Sequence, residues 1–272
     1  MARTGRARAV AVSGTVVALM AGAVACGASA GDDKDPEQRS FALQGRTLTV
    51  DNDDSALELV PADVDEVEVT RWFSGSVVVG GDPRVTWEMK DDRLKLRMKC
   101  SGFVADCSAR HRIEVPRGVA VIVKDGDGSV TAKGFKEALT IRTGDGSVRV
   151  ADSTGPLAVR TGDGSVRVSD TTGGLEVHTG DGSVRATGIE SRKVRTSTGD
   201  GSVRLELGVV PDLVDSRSGD GSISIGLPRE KYRVTTETGD GSVDVSVPRD
   251  ESSDHVVAAR TKDGSVTVRT LN

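Results

Sequence analysis

Cysteine, histidine and aromatic residues are scarce in this sequence. The 272-residue chain contains three cysteines and three histidines, and 3% of its residues are aromatic. No two cysteines stand in a Cys-x-x-Cys pair, which excludes the usual dithiol redox motif. The histidines lie in unrelated contexts, so no nucleophile, base and orienting group recur at a catalytic spacing. We therefore expect a protein that is not an enzyme.

A long apolar run is found only near the N-terminus. Three arginines precede 17 apolar or small residues, 9–25, and the run ends in Ala23-Val24-Ala25-Cys26. This pattern predicts a secretory signal peptide over residues 1–25. Its end resembles a bacterial lipobox, so we expect Cys26 to be diacylated and to hold the exported protein on the outer face of the cell membrane. Ala23 departs from the usual leucine, which leaves cleavage without lipidation as an alternative. A transmembrane anchor is disfavoured because the run is short for a span.

The exported part of the chain is acidic. The formal net charge of −5 becomes −8 without the three arginines of residues 1–25, since 33 basic residues then face 41 acidic ones. This balance argues against nucleic acid as a partner. Residues 26–40 are small and polar without periodicity, and we expect them to form a flexible tether.

One pentapeptide, Gly-Asp-Gly-Ser-Val or a near copy, returns eight times between residues 126 and 266, at intervals of 18, 18, 18, 19, 20, 20 and 23 residues. A period near twenty residues is typical of stacked-repeat proteins. Apolar residues alternate with polar ones on both sides of each glycine turn, as in Leu157-Ala-Val-Arg-Thr161 and Val166-Arg-Val168. Each repeat therefore predicts two short strands with one buried and one wet face.

Two all-β architectures fit this pattern. In a parallel β-solenoid of about 18–20 residues and two short strands per coil, identical residues stack at the strand spacing of about 4.8 Å. In an antiparallel meander each Asp-Gly would form a hairpin turn. We favour the solenoid, because a single long meander would leave its apolar face uncovered. Residues 41–272 are expected to form it, with irregular capping coils over 41–118 and the repeats over 119–272.

The capping region contains both tryptophans and two cysteines. Trp72 and Trp87 are expected to fill the core at the cap, with an exposed sugar-binding platform as the alternative. Cys100 and Cys107 are expected to form a disulfide, since these are the cysteines that remain beside Cys26 in an exported chain. An open final coil would expose strand edges, so self-association through the solenoid end is a further expectation.

The repeated aspartates are the first candidate site. Stacked carboxylates about 4.8 Å apart repel by roughly 0.9 kcal/mol per pair even in water. We expect each aspartate to bond to the backbone of its own glycine turn. Calcium between coils is the alternative, although it wants about six to eight oxygen ligands and the sequence otherwise predicts no cofactor. The candidate calcium column is Asp127, Asp145, Asp163, Asp181, Asp200, Asp220 and Asp240.

The outward columns provide the second candidate site. Arginine recurs both before and after the glycine turns, which predicts a binding face for a cell-wall polymer or an envelope protein. Its residues are Arg142, Arg149, Arg160, Arg167 and Arg185. A polysaccharide lyase is the enzymatic alternative, but its cleft would need a break in the repeat pattern, and residues 139–245 show none.

The glycine-turn repeats and the Arg-Ile-Glu-Val-Pro-Arg-Gly stretch at 112–118, after the two cysteines, carry a resemblance to a known family. The chain is similar over about residues 41–272 to the bacterial "putative adhesin" domain family of unknown function, whose relatives include autotransporter-adhesin-like heads of β-solenoid type. The resemblance implies a non-enzymatic envelope protein and, for some relatives, a part in sensing envelope stress. It defines no functional residues that could be carried over. Adhesion, ligand binding, stress sensing and a calcium-stabilised stalk all remain open as functions.

Overall fold

The structure is a computed structural model that describes Asp33 and residues 35–77, 80–102 and 105–271. These residues form 23 strands and no helix, arranged in one 12-stranded and one 11-stranded sheet. They accordingly include no helix of the length and apolarity that crossing a membrane requires. The predicted all-β parallel solenoid is confirmed, and the meander is wrong. The predicted signal peptide and Cys26 lie outside the described residues.

The N-terminal part contributes seven strands, of which the longest are β4 and β7. In chain order the strands are β1 (Glu37–Phe41), β2 (Thr47–Asn52), β3 (Ala56–Ala62), β4 (Val67–Val77), β5 (Arg84–Lys90), β6 (Arg93–Lys99) and β7 (Ala105–Pro116).

The repeats contribute one strand before and one after each glycine turn. The first six repeats form β8 (Ala120–Lys124), β9 (Val130–Lys133), β10 (Leu139–Thr143), β11 (Val148–Ala151), β12 (Leu157–Thr161), β13 (Val166–Thr171), β14 (Leu175–Thr179), β15 (Val184–Ile189), β16 (Lys193–Thr198), β17 (Val203–Leu207), β18 (Leu213–Ser218) and β19 (Ile223–Leu227). The last two form β20 (Arg233–Glu237), β21 (Val243–Val245), β22 (Val256–Thr261) and β23 (Val266–Thr270).

The two strands of each coil belong to different sheets. The strands after the glycine turns lie in the 12-stranded sheet, here called sheet A, and the strands before them lie in the 11-stranded sheet, sheet B. Within each sheet the repeat strands pair in parallel, and equivalent residues stand side by side, as Val148 does with Val166 and Leu139 with Leu157. The predicted stacking of like on like is therefore what the strand register shows.

The inward residues of both sheets form one continuous apolar core. The predicted column before the turn is at most 3% exposed at seven of its eight positions, which are Val121, Leu139, Leu157, Leu175, Val194, Val214 and Val257. Only Val234, in the coil at the end of the stack, is half-buried. Burying a Val or Leu side chain contributes about 1.5–3 kcal/mol, so the repeated columns are the main source of stability.

A buried hydroxyl precedes the first glycine of nearly every turn and connects consecutive coils. Thr179 is fully buried, and its hydroxyl lies 3.1 Å from the carbonyl oxygens of both Gly162 and Gly164 in the preceding coil. The same oxygen accepts a hydrogen bond from the backbone N–H of Gly182 at 3.2 Å. Equivalent bonds are made by Thr161, Thr198, Ser218 and Thr261. We call this column the hydroxyl ladder.

The glycines of the turns are required by close approach between coils. A Cβ atom on Gly182 would lie 2.1 Å from the carbonyl oxygen of Gly164, and one on Gly146 would lie 1.9 Å from that of Gly128. No side chain fits in that space, so the second glycine of the turn allows consecutive coils to stack at the strand spacing.

The last two repeats stack in exchanged order. Strands β22 and β23 pair with β18 and β19 on one side and with β20 and β21 on the other. The coil of β20 and β21 therefore ends the stack, although the chain ends in the coil beside it. A longer interval of 23 residues separates Asp240 from Asp263 and lets the chain return. At this end Val243 is 46% exposed.

The N-terminal end shows a similar insertion and an antiparallel cover. Strands β2 and β3 lie between the first repeat and the β6–β7 coil. Beyond that coil, β4 pairs antiparallel with β7, and β5 with β6. The guanidinium of Arg71 lies 4.2 Å above the ring of Trp87, which packs on Phe41. This arrangement closes the core at the N-terminal end.

The predicted flexible tether over residues 26–40 is wrong at its C-terminal part. Glu37–Phe41 form β1, which pairs antiparallel with β4. The carboxylate of Glu37 lies 2.7 Å from Arg71, and the carboxylate of Asp33 accepts a hydrogen bond from the backbone N–H of Phe73. The segment lacks apolar alternation because it forms an exposed edge strand, so its sequence resembled that of a linker.

Candidate binding faces

Three arginines form an unpaired row on the outer face of sheet A. The strand register places Arg149 beside Arg167 and Arg167 beside Arg185. All three side chains are exposed, and none of them makes an ion pair or a hydrogen bond within the described residues. We call these residues the arginine row.

Paired arginines bound this row at both ends. Arg204, the next residue along the register, lies 2.5 Å from Glu206. On the other side, beyond Thr131, Arg112 lies 2.7 Å from Glu58. Within this column of sheet A, the unpaired arginines thus occupy three consecutive coils.

Sheet B carries the other two predicted arginines, on the opposite outer face. Arg142 stands beside Arg160, and Arg160 lies 3.4 Å from Glu176. Further along the same face Asp215 lies 2.8 Å from Arg217 and 3.9 Å from Arg260. The five arginines predicted as one face therefore fall on two faces. On sheet B, Arg160 and Arg217 are paired with carboxylates, whereas Arg142 makes no ion pair within the described residues.

The arginine row has an electrostatic cost in the free protein. Adjacent guanidinium groups about 4.8 Å apart repel by roughly 0.9 kcal/mol per pair in water before screening by salt. A bound anion would offset this repulsion, because it attracts both guanidinium groups. The row is consequently better suited to binding a negatively charged group than to stabilising the fold.

Two shallow grooves flank the arginine row. A groove of about 320 Å³ runs along Arg149, Arg167 and Arg185 on the side of Ser169 and Thr187. A second groove, of about 230 Å³, lies on the turn side of the same row. Its hydroxyl wall is formed by Ser165, Ser183 and Ser202. We call these three residues the serine row.

The aspartates form a third row, at the glycine turns. Asp127, Asp145, Asp163, Asp181 and Asp200 are exposed. Their side chains make no hydrogen bond or ion pair within the described residues, and the hydroxyl ladder occupies the turn contacts predicted for them. No group of three or more acidic, histidine or cysteine side chains in the described part of the chain is arranged to hold a metal ion. Since calcium needs about six to eight oxygens, this donor set does not fit it.

The hydroxyl ladder ends in a polar junction at the first repeat. Here Asp125 occupies the ladder position and accepts hydrogen bonds from the side chains of Asn52 and Thr143. The pKa of the Asp125 carboxyl is raised to about 7: burial is the largest cause and the charges of Asp54 and Asp127 add to it, while the two hydrogen bonds oppose the shift. The buried carbonyl oxygen of Asn52 has no partner within the described residues.

A second perturbed group lies in the N-terminal cap. His111 is fully buried and both ring nitrogens lack hydrogen-bond partners within the described residues. Burial, together with the smaller effect of the nearby charge of Arg71, lowers the pKa of His111 to about 4. The imidazole is therefore neutral at physiological pH and fills space in the core.

The predicted aromatic platform is divided between two roles. Trp87 packs on the core, as expected for a cap. Trp72 lines the outer groove of about 590 Å³ at the N-terminal end, but the guanidinium of Arg110 lies 4.2 Å above its ring. The predicted disulfide is confirmed: Cys100 and Cys107 are bonded, and their Cα atoms are 6.2 Å apart.

The hydroxyl ladder is the main feature that the sequence reasoning missed. Threonine or serine precedes the turn in seven of the eight repeats, and it lies an even number of residues from the buried valines, which places it on the same face of the strand. This even spacing could have predicted that the hydroxyl is buried. The identity of the bonded carbonyls could not be seen, because they belong to another coil.

The fold and its rows of like side chains define the class: a two-sheet parallel β-solenoid that displays laddered charges on its outer faces. The Toastrack DUF4097 family model matches residues 105–272, more than half of the chain, so the protein belongs to this family. The predicted relationship to an adhesin-like family of unknown function is confirmed.

Two solved structures resemble the chain. A "putative adhesin" from Parabacteroides merdae is 12% identical, with a TM-score of 0.50, and the match covers 88% of this chain and 97% of that one. A "putative cell adhesion protein" from Clostridium sporogenes is 12% identical, with a TM-score of 0.27, and the match covers 87% of this chain and 100% of that one. No curated protein sequence matches significantly. At this identity the first similarity bears on the fold alone.

Proposed function

We propose that the protein is a non-catalytic, adhesin-like binding protein of the bacterial cell envelope, anchored through a lipid on Cys26. The solenoid would act as a rigid support that presents one charged face to an envelope polymer. Family membership and the shared fold of a protein named as an adhesin are consistent with this proposal. A signal peptide ending in a lipobox-like sequence supports export and anchoring.

The single observation that carries the proposal is the arginine row. Several arginines elsewhere on the solenoid have carboxylate partners, as Arg160, Arg204 and Arg217 do. Three exposed arginines without partners, in register on consecutive coils, are poorly explained by stability, because surface charges contribute little to it. An external anionic partner explains them directly.

The proposal is tested by measuring retention of the protein on purified cell-wall material. We expect saturable binding without release of wall fragments. The charge-reversed variant Arg149→Glu/Arg167→Glu/Arg185→Glu should bind at least tenfold more weakly, as roughly 1.4 kcal/mol corresponds to each factor of ten.

A matched control separates the face from the net charge. The variant Arg142→Glu/Arg160→Glu/Arg195→Glu carries the same charge change on sheet B, where all three residues are also exposed. It should bind wall material much like the unchanged protein. Equal loss of binding in both variants would reduce the effect to overall charge and refute the assignment of a binding face.

Lipid attachment has its own test. Metabolic labelling with a fatty-acid analogue should modify the protein, and Cys26→Ser should abolish the label and release the protein from membranes. A labelled Cys26→Ser variant, or an unlabelled native protein, would contradict the anchor.

A further inference from the structure

The order of the outward rows on sheet A restricts the chemistry of the ligand. Along each coil, the outward positions after the turn follow as Asp163, Ser165, Arg167 and Ser169, two residues apart. Within the strand, Arg167 and Ser169 are therefore about 7 Å apart, because a strand rises about 3.3 Å per residue, whereas Asp163 and Ser165 lie in the turn that precedes it. Along the solenoid axis each row repeats once per coil, at about 4.8 Å.

A ligand on this face meets positive charge on one side only. In the coils of Arg167 and Arg185 the serine row lies between the arginine row and the aspartate row, and the aspartates have no partners of their own within the described residues. Negative groups placed toward the turns would approach these carboxylates and be repelled. Neutral hydroxyl groups placed there could donate hydrogen bonds to the carboxylates, and they could both donate to and accept from the serine hydroxyls.

We propose that the arginine row and the serine row together bind an acidic polysaccharide that lies along the solenoid axis, with one anionic group per sugar on the arginine side. Guanidinium groups suit carboxylates and sulfates because of their fork of donors. A sugar unit in an extended chain repeats at a distance similar to the strand spacing, so successive sugars can meet successive coils. This inference rests on the proposed function and gives it a ligand class.

The length of the site sets a size limit on the ligand. Free arginines occupy three coils, and the paired Arg112 and Arg204 bound them. A chain shorter than the row leaves guanidinium groups unpaired, whereas extra sugars beyond it find no further free charge. Affinity should therefore rise with chain length up to a few sugars and then level off.

The experiment measures binding of the intact protein to oligogalacturonates of defined length, in which every sugar carries one carboxylate. Affinity should rise at least tenfold from the disaccharide to the tetrasaccharide and change less than twofold beyond the hexasaccharide. Polyphosphate of matched charge, which lacks hydroxyl groups, should bind more weakly. Raising the salt concentration should weaken all of these complexes.

Substitutions separate the two rows. Ser165→Ala/Ser183→Ala/Ser202→Ala should weaken oligogalacturonate binding at least tenfold, because it removes three hydroxyl groups that hydrogen-bond the sugar, and should leave polyphosphate binding unchanged. Ser129→Ala, from the same column beside Thr131, is the control and should change neither. Arg149→Gln/Arg167→Gln/Arg185→Gln should abolish both.

Two results would overturn the inference. One is polyphosphate binding as tightly as the sugars, with no effect of the serine substitutions, which would point to charge alone. The other is the absence of binding to every oligogalacturonate while the protein is still retained on wall material through the arginine row. In that case the proposed binding function would stand and the ligand class would be wrong.

Discussion

Two buried threonines, in strands that follow each other along the chain, should respond to the same substitution with opposite changes in protein stability. Thr179 and Thr171 are at most 1% exposed. The hydroxyl of Thr179 belongs to the hydroxyl ladder, whereas the hydroxyl of Thr171 has no partner within the described residues. Valine has nearly the same shape as threonine, so Thr→Val at each site changes mainly the hydrogen bonding.

The structure sets the size of the effect at Thr179. Valine there would deprive the N–H of Gly182 of its acceptor and the carbonyl of Gly164 of its donor, while the carbonyl of Gly162 keeps its bond from the N–H of Gly180 at 2.6 Å. Leaving a buried polar group without a partner costs about 1–3 kcal/mol. Two such groups predict that Thr179→Val destabilises the protein by about 2–4 kcal/mol.

The same reasoning predicts a neutral or stabilising effect at Thr171. Its hydroxyl is already buried without a partner, and Ile189 occupies the neighbouring position in the next coil. Removing the hydroxyl eliminates a desolvation penalty and should raise stability by up to about 2 kcal/mol.

Urea denaturation of both variants, read as the midpoint at constant slope, measures the difference. Thr179→Ser retains the hydroxyl and is the control; it should lose about 1 kcal/mol at most, since only a methyl group is removed. Equal destabilisation by the two valine substitutions would refute the reasoning, because it would mean that the ladder bonds contribute nothing beyond packing.

Three further outcomes are expected. Gly182→Ala should destabilise the protein by more than about 3 kcal/mol, because the new Cβ would lie 2.1 Å from the carbonyl oxygen of Gly164. Gly174→Ala is the control: no atom lies within 4 Å of its Cβ position, so stability should change by less than about 0.5 kcal/mol. Similar melting temperatures for the two variants would contradict the close packing of the turns. Asp125→Thr should stabilise the protein by about 1–2 kcal/mol above pH 7 and by less as the pH falls toward 4. The reason is that the pKa of Asp125 is raised to about 7 in the folded state, so ionisation of this carboxyl destabilises the native protein as the pH rises from 3.8 to 7. A gain that does not depend on pH would exclude this cause. Excess chelator should leave the melting temperature unchanged, and a drop of many degrees would reveal a metal on the aspartate row.

The buried histidine adds an acid limit to stability. The pKa of His111 falls from 6.5 in the unfolded chain to about 4 in the folded protein, so this residue has no pH-dependent cost above pH 6.5. As the pH falls to 4, the free energy of unfolding should decrease by up to about 3 kcal/mol.

The repeating part of the fold could be predicted because every repeat shows the same alternation of apolar and polar residues around its glycine turn. Leu157 and Val159 alternate with polar residues, and their counterparts recur at a fixed interval, so burial and stacking followed from parity. The same parity places Thr179 inside. Its partners could not be predicted, because Gly162 and Gly164 are brought to it only by the stacking of coils.

The candidate site was predicted in composition but not in arrangement. Arg142 and Arg149 lie close in sequence, yet a turn separates them and places them on opposite faces. Which arginines remain unpaired depends on acidic neighbours such as Glu176, which comes from the next coil. Spacing within one repeat does not show contacts of this kind between coils, although it does bring together close pairs such as Arg204 and Glu206.

The exchanged order of the last coils was hidden for a different reason. Val257 and Val234 occupy equivalent positions in their repeats, so either coil could follow β18 by pattern alone. The long interval before Asp263 allows the return of the chain but does not require it.

The exchanged order also separates the end of the stack from the end of the chain. In most stacked-repeat folds the last coil can unravel as a free tail, since it contacts one neighbour only. Here the outermost coil is a loop whose two ends are fixed in interior coils, so detaching it releases less chain entropy than detaching a tail. A pull on the C-terminal strand β23 must break the ladders with β19 and β21 together. Near the other terminus, β2 is likewise held between β6 and β8. Tension applied to the C-terminal strand thus reaches a coil that is paired on both sides.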